Sequence, residues 1–285
     1  MSYQQYRPTG FRLLPEVVKN LIIINGLFFL ATYVLDSTYA VNLVDKLGLH
    51  YYASEKFHPY QLITYMFMHG GLSHIFLNMF ALWMFGNALE NYWGPKRFLT
   101  YYIITGIGAA LIHYVVYYFE IKPTLSFLNE YLTHPNIDTF NTFLKSKFFH
   151  IDSTEMEVHY NALVGKFNAL QVSGDTHQML QVSVDYMTQY KEDFLNASTV
   201  VGASGSVFGL LLAFGMLFPN SIIYLYFAIP IKAKYFVILY GAFELFSGII
   251  PQQGDNVAHF AHLGGMLFGF FLIRYWNKHD RANFY

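Results

Sequence analysis

Six apolar stretches limit what this 285-residue chain can fold into more than any other feature. They run over roughly residues 17–36, 60–90, 98–119, 202–218, 233–250 and 257–276. A helix that crosses a bilayer needs about 20 mostly apolar residues, because its hydrogen bonds must be satisfied within the segment while its side chains face acyl chains. The composition agrees. Charged residues make up 12% of the chain, where soluble domains carry about a quarter. The reading is an all-α polytopic membrane protein, one domain over residues 1–285, with six transmembrane helices. The first stretch is longer than a signal-peptide core, and no small-x-small site follows it closely, which predicts an anchor that stays. The fourth begins abruptly at Gly202 and stops at Pro219. Its small, polar start is therefore expected within membrane depth, where irregular backbone survives only buried in protein or lining water.

Charge orients the bundle. With the N-terminus inside, the inner segments 1–19, 91–97, 219–234 and 274–285 hold ten of the seventeen Lys and Arg residues. The positive-inside rule then puts both termini in the cytoplasm, and an even number of crossings agrees. Residues 120–198 break the pattern with ten of the eighteen acidic residues and five basic ones. They read as an extramembrane insertion between crossings three and four. Pro123, Pro135 and Gly174 punctuate it, and 162–170 and 179–190 carry weak amphipathic patterns. The chain has no cysteine, which excludes disulfides and thiolate chemistry. A net charge of −1 offers no basic excess for nucleic acid.

Three clusters carry groups suited to chemistry. Gly202-Ala203-Ser204-Gly205 surrounds a serine with small residues. It is not the G-x-S-x-G elbow of soluble hydrolases, because Ser206 stands at the last glycine position. Small residues in a membrane helix also serve plain helix packing. A serine becomes nucleophilic only beside a base. His259 and His262 of the last stretch are candidates, and intramembrane histidines are costly enough to suggest function. His262 is followed by Gly265 and Gly269 at spacings of three and four, a flat stripe against which another helix can pack. His74 and Asn78 are four apart and share a helical face, where both could donate to an oxyanion or merely satisfy backbone carbonyls. His69, His74, His259 and His262 could in principle ligate a metal. There is no H-E-x-x-H, so no metal is expected. A proton-relaying transporter would call for paired intramembrane carboxylates or an inverted repeat, and the sequence displays neither.

Taken together, His74-x-x-x-Asn78, Gly202-x-Ser204-Gly205 and Ala261-His262-x-x-Gly265-x-x-x-Gly269 closely resemble the rhomboid family of intramembrane serine proteases. The resemblance runs from the first apolar stretch to the last and omits the insertion. It implies a rhomboid-like six-helix bundle that cleaves transmembrane protein substrates in the lipid bilayer with a Ser-His dyad and no cofactor or metal. Ser204 would be the nucleophile, His262 its base, and His74 and Asn78 the oxyanion donors, helped by the Ser204 N–H. Gly202, Gly205, Gly265 and Gly269 would support that site. Phe208 falls where the family often packs an aromatic ring, frequently Tyr, on the catalytic histidine. Glu90 resembles a buried acid that ties the first loop region. The glycine spacing selects His262 over His259, and Ser206 points about 200° away from Ser204 on a helix. Glu244 receives no role beyond pairing near the outer interface. The alternative is a proteolytically silent rhomboid-like protein that binds membrane clients. The substrate is expected to enter beside the fifth helix, with Phe236, Phe243 and Phe246, under a mobile cap at Ser247–Val257. A bacterial cytoplasmic membrane is the expected home, because no organelle-targeting segment is apparent.

Overall fold

The structure, a computed structural model, describes residues 12–225, 228–250 and 257–282. Among the described residues the chain forms eleven α-helices: α1 (Glu16–Tyr39), α2 (Leu43–Leu47), α3 (Gln61–Thr64), α4 (Leu72–Trp93), α5 (Pro95–Thr133), α6 (Ile137–Leu144), α7 (Thr154–Ser173), α8 (Thr176–Ala197), α9 (Ser204–Leu217), α10 (Ala233–Ile249) and α11 (His259–Ala282). By length and composition α1, α4 and α5 can each cross a bilayer. α9 is apolar, but its 14 residues rise only about 21 Å, less than the hydrocarbon thickness. Residues 251–256 of the expected cap lie outside the described residues.

The chain divides into two compact units. The first comprises Met1–Leu49, Tyr60–His113 and Val200–Tyr285. Its centre is α9, which is apolar all round and buried on nearly every face, as such a helix must be. Phe208, Leu210, Leu211 and Ala213 join Leu82 and Phe85 of α4, Tyr101 and Tyr102 of α5, Val237 of α10 and Met266 of α11 in one core. α10 turns a narrow face inward, with Val237, Glu244 and Ser247 buried, and leaves Ile238, Leu239, Phe243, Phe246 and Ile249 exposed. Exposed apolar side chains on this scale belong in lipid rather than water. An antiparallel hairpin, Ile222–Leu225 with Ile229–Lys232, links α9 to α10.

α1 begins without a side-chain cap of its own. Glu90 of α4 supplies one. Its Oε1 and Oε2 accept from the N–H groups of Val17 and Val18 at 3.0 and 2.8 Å. A carboxylate at a helix N-terminus meets both the unsatisfied donors and the positive end of the dipole. Glu90 therefore ties the start of the first long helix, not the loop region that the resemblance implied. Asn87 and Asn91 extend the tie, each donating through Nδ2, to the carbonyls of Leu13 and Arg12. Gly94, at φ +79°, closes the tight turn from α4 into α5, and Pro95 opens α5 at the position where a missing N–H costs nothing.

The second unit comprises His50–Pro59 and Tyr114–Thr199. α5 does not stop near residue 119. It continues through Pro123 to Thr133, 39 residues or about 58 Å in all. Past Pro123, Leu128 and Tyr131 are buried in a core with Phe140, Phe143, Met156, Tyr186, Met187 and Tyr190. The two weak amphipathic patterns fall inside the longer helices α7 and α8. Ser153 and Asp175 cap them, accepting from the N–H groups of Met156 and Gln178, and Gly174, at φ +69°, turns the chain between them.

Candidate active site

α9 starts at Ser204 because the chain reverses just before it. Gly202 has φ +125°, a conformation open to glycine and strained for other residues, and its N–H donates to the Tyr65 carbonyl at 2.9 Å. Every residue from Gly202 to Leu211 is buried except Ser204, which is half-exposed. Ser206 is fully buried, and its hydroxyl donates to the Tyr102 carbonyl at 2.7 Å. The two serines thus part company: one fastens α9 to α5, and the other stands half-exposed on the helix's first turn. The first N–H groups of that turn have no carbonyl upstream in the helix, which leaves α9 with the partly positive N-terminal end of any helix.

His262 comes from α11, which approaches α9 closely. A Cβ on Gly265 would overlap the Gly205 carbonyl, and one on Gly205 would overlap the Ala109 side chain of α5. Gly269 meets the Tyr101 hydroxyl in the same way. Contact at backbone distance brings His262 Nε2 to 2.9 Å from Ser204 Oγ. Phe208, one turn along α9, stacks on the imidazole with centroids 4.2 Å apart and planes 6° from parallel. Its other face meets Tyr240 at 5.2 Å.

The third cluster lies on α4. A Cβ on Gly202 would fall 2.7 Å from His74 Nε2 and 3.6 Å from Ser204 Oγ. The missing side chain therefore leaves a small space shared by the His74 ring and the serine. The Gly70 N–H approaches His74 Nδ1 across a long 3.5 Å, a contact that matches a tautomer with its proton on Nε2. The His69 ring stands nearly edge-on to His74, with centroids 5.0 Å apart. Asn78 is buried, and its Nδ2 donates to the His74 carbonyl at 3.0 Å.

Sequence reasoning missed the carboxylate. Glu244 of α10 is 3% exposed, and its Oε2 accepts from His262 Nδ1 at 2.8 Å and from His259 Nδ1 at 2.7 Å. The signal was present, since a lone Glu on an apolar helix must be paired to be tolerated. Its partners lie 15 and 18 residues away on another helix, beyond any local spacing rule. Glu244, His259 and His262 are also a donor set that metals accept, with ligand atoms within 4.8 Å of one another. Their arrangement is that of hydrogen bonds. Ligands held tetrahedrally around zinc would stand about 3.3 Å apart, whereas both nitrogens converge on one oxygen at 2.7–2.8 Å.

The family model for the rhomboid domain matches residues 56–121 and 169–278, well over half of the chain. The chain belongs to the rhomboid family. Residues 122–168 fall outside the match. Among curated relatives, this rhomboid is 36% identical to the rhomboid protease GluP of Bacillus subtilis (strain 168) over 56 residues, 20% of this chain and 11% of that protein. It is 30% identical to Rhomboid-like protein 11, chloroplastic, of Arabidopsis thaliana over 97 residues, 32% of this chain and 34% of that protein. It is 38% identical to RHOMBOID-like protein 6, mitochondrial, of the same plant over 53 residues, 19% and 17% of the two chains. The matched stretches thus span from about a tenth to a third of these relatives. The family is membrane-embedded and generally one of intramembrane serine proteases.

Proposed function

We propose that this rhomboid is an active endopeptidase that hydrolyses peptide bonds in or near transmembrane segments of membrane-protein substrates, with Ser204 as nucleophile and His262 as general base. One observation carries the reading: Ser204 Oγ lies 2.9 Å from His262 Nε2, while His262 Nδ1 is committed to a carboxylate. A carboxylate accepts a proton bond, so Nδ1 bears hydrogen and Nε2 presents its lone pair to the serine. The silent client-binding alternative requires no such alignment.

Ser204 Oγ attacks the scissile carbonyl carbon as its proton passes to His262 Nε2. The C=O π pair moves onto oxygen. That oxyanion is met by His74 Nε2–H, by the second hydrogen of Asn78 Nδ2 and by the Ser204 N–H at the positive end of α9. The tetrahedral species then collapses, the C–N bond breaks, and the amine leaves with the proton from Nε2. Water repeats the sequence on the acyl-enzyme, giving a carboxylic acid and restoring Ser204. The substrate must unwind first, because a helical amide is hydrogen-bonded and covered. Entry beside α10 is supported by the lipid-suited exposure of Phe243 and Phe246, whereas Phe236 is half-buried.

The proposed setting is a bacterial cytoplasmic membrane, crossed six times, with both termini in the cytoplasm and residues 120–198 outside the bilayer. The Lys and Arg distribution supports the orientation. The tyrosine- and phenylalanine-rich core of the second unit supports a folded body in place of a spacer. A fluorophosphonate probe followed by peptide mapping tests the nucleophile: the adduct is expected on Ser204, and an adduct on another residue would refute the assignment.

A further inference from the structure

We infer that Glu244 is a positioning residue for the base, making the site a three-member relay, Ser204–His262–Glu244, in place of the two-member dyad that the family resemblance implies. The inference rests on the proposed hydrolytic function and deepens it. Four observations support it. Glu244 is 3% exposed on a helix whose other faces are apolar. Its Oε2 stands 2.8 Å from Nδ1 of the imidazole whose Nε2 faces Ser204. The same oxygen takes a second proton bond at 2.7 Å from His259, one turn away on α11. Phe208 holds the imidazole plane from the side, stacked 6° from parallel.

Each contact has a chemical consequence. The bond to Nδ1 fixes the tautomer, so that Nε2 is the acceptor that a general base requires. Without it, no carboxylate would hold the proton on His262 Nδ1, and the other tautomer would point a proton at the serine. When Ser204 gives up its proton, the imidazolium that forms lies against an anion, within a low-dielectric interior where that attraction is strong. No proton need transfer to Glu244. His259 is the second donor that lets a buried carboxylate stay in place while His262 changes charge, because Glu244 keeps one hydrogen-bond partner throughout the cycle. The spacing of three that puts His259 and His262 on one face of α11 therefore has a use that the glycine stripe does not explain.

The test is fluorophosphonate inactivation of the full chain in liposomes, which needs no natural substrate. In that reaction Ser204 Oγ bonds to phosphorus, fluoride leaves, and the serine proton passes to His262 Nε2. Both kinact and KI are measured, with the unfolding temperature alongside, for the unaltered protein, Glu244→Gln, Glu244→Asp, His259→Gln and Ser204→Ala. Positioning predicts that Glu244→Gln lowers kinact about 10²-fold and leaves KI within about twofold, since the geometry survives and the tautomer does not. Glu244→Asp, which restores the charge, should recover part of the loss. His259→Gln should lose less than Glu244→Gln, because the Glu244–His262 bond remains. A merely structural tie between α10 and α11 would instead lower unfolding temperature and labelling together, and to a similar extent in Glu244→Gln and His259→Gln. That pattern, or labelling of Glu244→Gln at the unaltered rate, overturns the inference while leaving the hydrolytic reading intact. Loss of labelling on treatment with a chelator overturns it too, by making the cluster a metal site. Labelling of Ser204→Ala at the unaltered rate overturns both.

Discussion

Gly265 of α11 faces the carbonyl of Gly205 on α9 with no room for a Cβ between them. This approach sets the distance between the helix that carries Ser204, the proposed nucleophile, and the helix that carries His262, the proposed base. Gly265→Ala therefore has no rotamer that relieves it, and the helices must separate. Overpacking of this kind costs about 1–3 kcal/mol. A displacement of about 1 Å at the reacting atoms costs about 10²-fold in rate. The variant should be folded, less stable and at least about 10²-fold slower in fluorophosphonate labelling.

Gly202 leaves open the space between His74 and Ser204 where the proposed oxyanion would form. Gly202→Ala meets strain at φ +125° and puts a methyl group against His74 Nε2. A single strained residue costs about 1–3 kcal/mol. Blocking the space should slow peptide cleavage as much as His74→Ala or Asn78→Ala, each expected to lower kcat about 10²–10³-fold. Steady-state kinetics with KM measured separately checks this, since a lost oxyanion donor lowers kcat with little change in KM.

Phe208 lies flat against His262. Phe208→Tyr keeps the stack and should retain activity within about threefold. Phe208→Ala removes a buried aromatic ring, which costs about 3–5 kcal/mol, and frees the imidazole to rotate. Parallel unfolding and cleavage assays on the two variants distinguish ring stacking from mere volume.

Glu90 acts far from the chemistry. Glu90→Ala leaves two N–H groups of α1 unpaired at 5% exposure of the acid's own site. A loss of about 1–3 kcal/mol in stability is expected, with kcat unchanged for the folded fraction. Unfolding measured in bilayers, together with single-turnover cleavage, separates the two effects.

How far the sequence could be read depended on the range of the interaction. Ser204 and His262, the proposed nucleophile and base, stood out as a pair because Gly202, Gly205, Gly265 and Gly269 mark close backbone approaches, and glycine spacing survives in one dimension. Helix existence was legible for the same reason: apolar runs are local. Glu244 was not, because what makes it a partner of His262 is the packing of α10 on α11, and its own neighbours Phe243 and Leu245 say only that it lies in an apolar helix. Pro123 read as a break, yet the packing of Leu128 and Tyr131 outweighs the one hydrogen bond that proline removes. The true starts of α7 and α8 rest on the capping oxygens of Ser153 and Asp175, which periodicity does not register. Glu90 was recognised as a buried acid and assigned to the wrong segment, because its partners are backbone N–H groups that no side-chain pattern identifies.

The most direct test of the central claim is cleavage of a single-span membrane substrate in liposomes by the unaltered protein, Ser204→Ala and His262→Ala. The account predicts a cut near the substrate's membrane end by the unaltered protein alone, with both variants folded and silent. Cleavage that persists in Ser204→Ala would contradict it, because the nucleophile would then lie elsewhere.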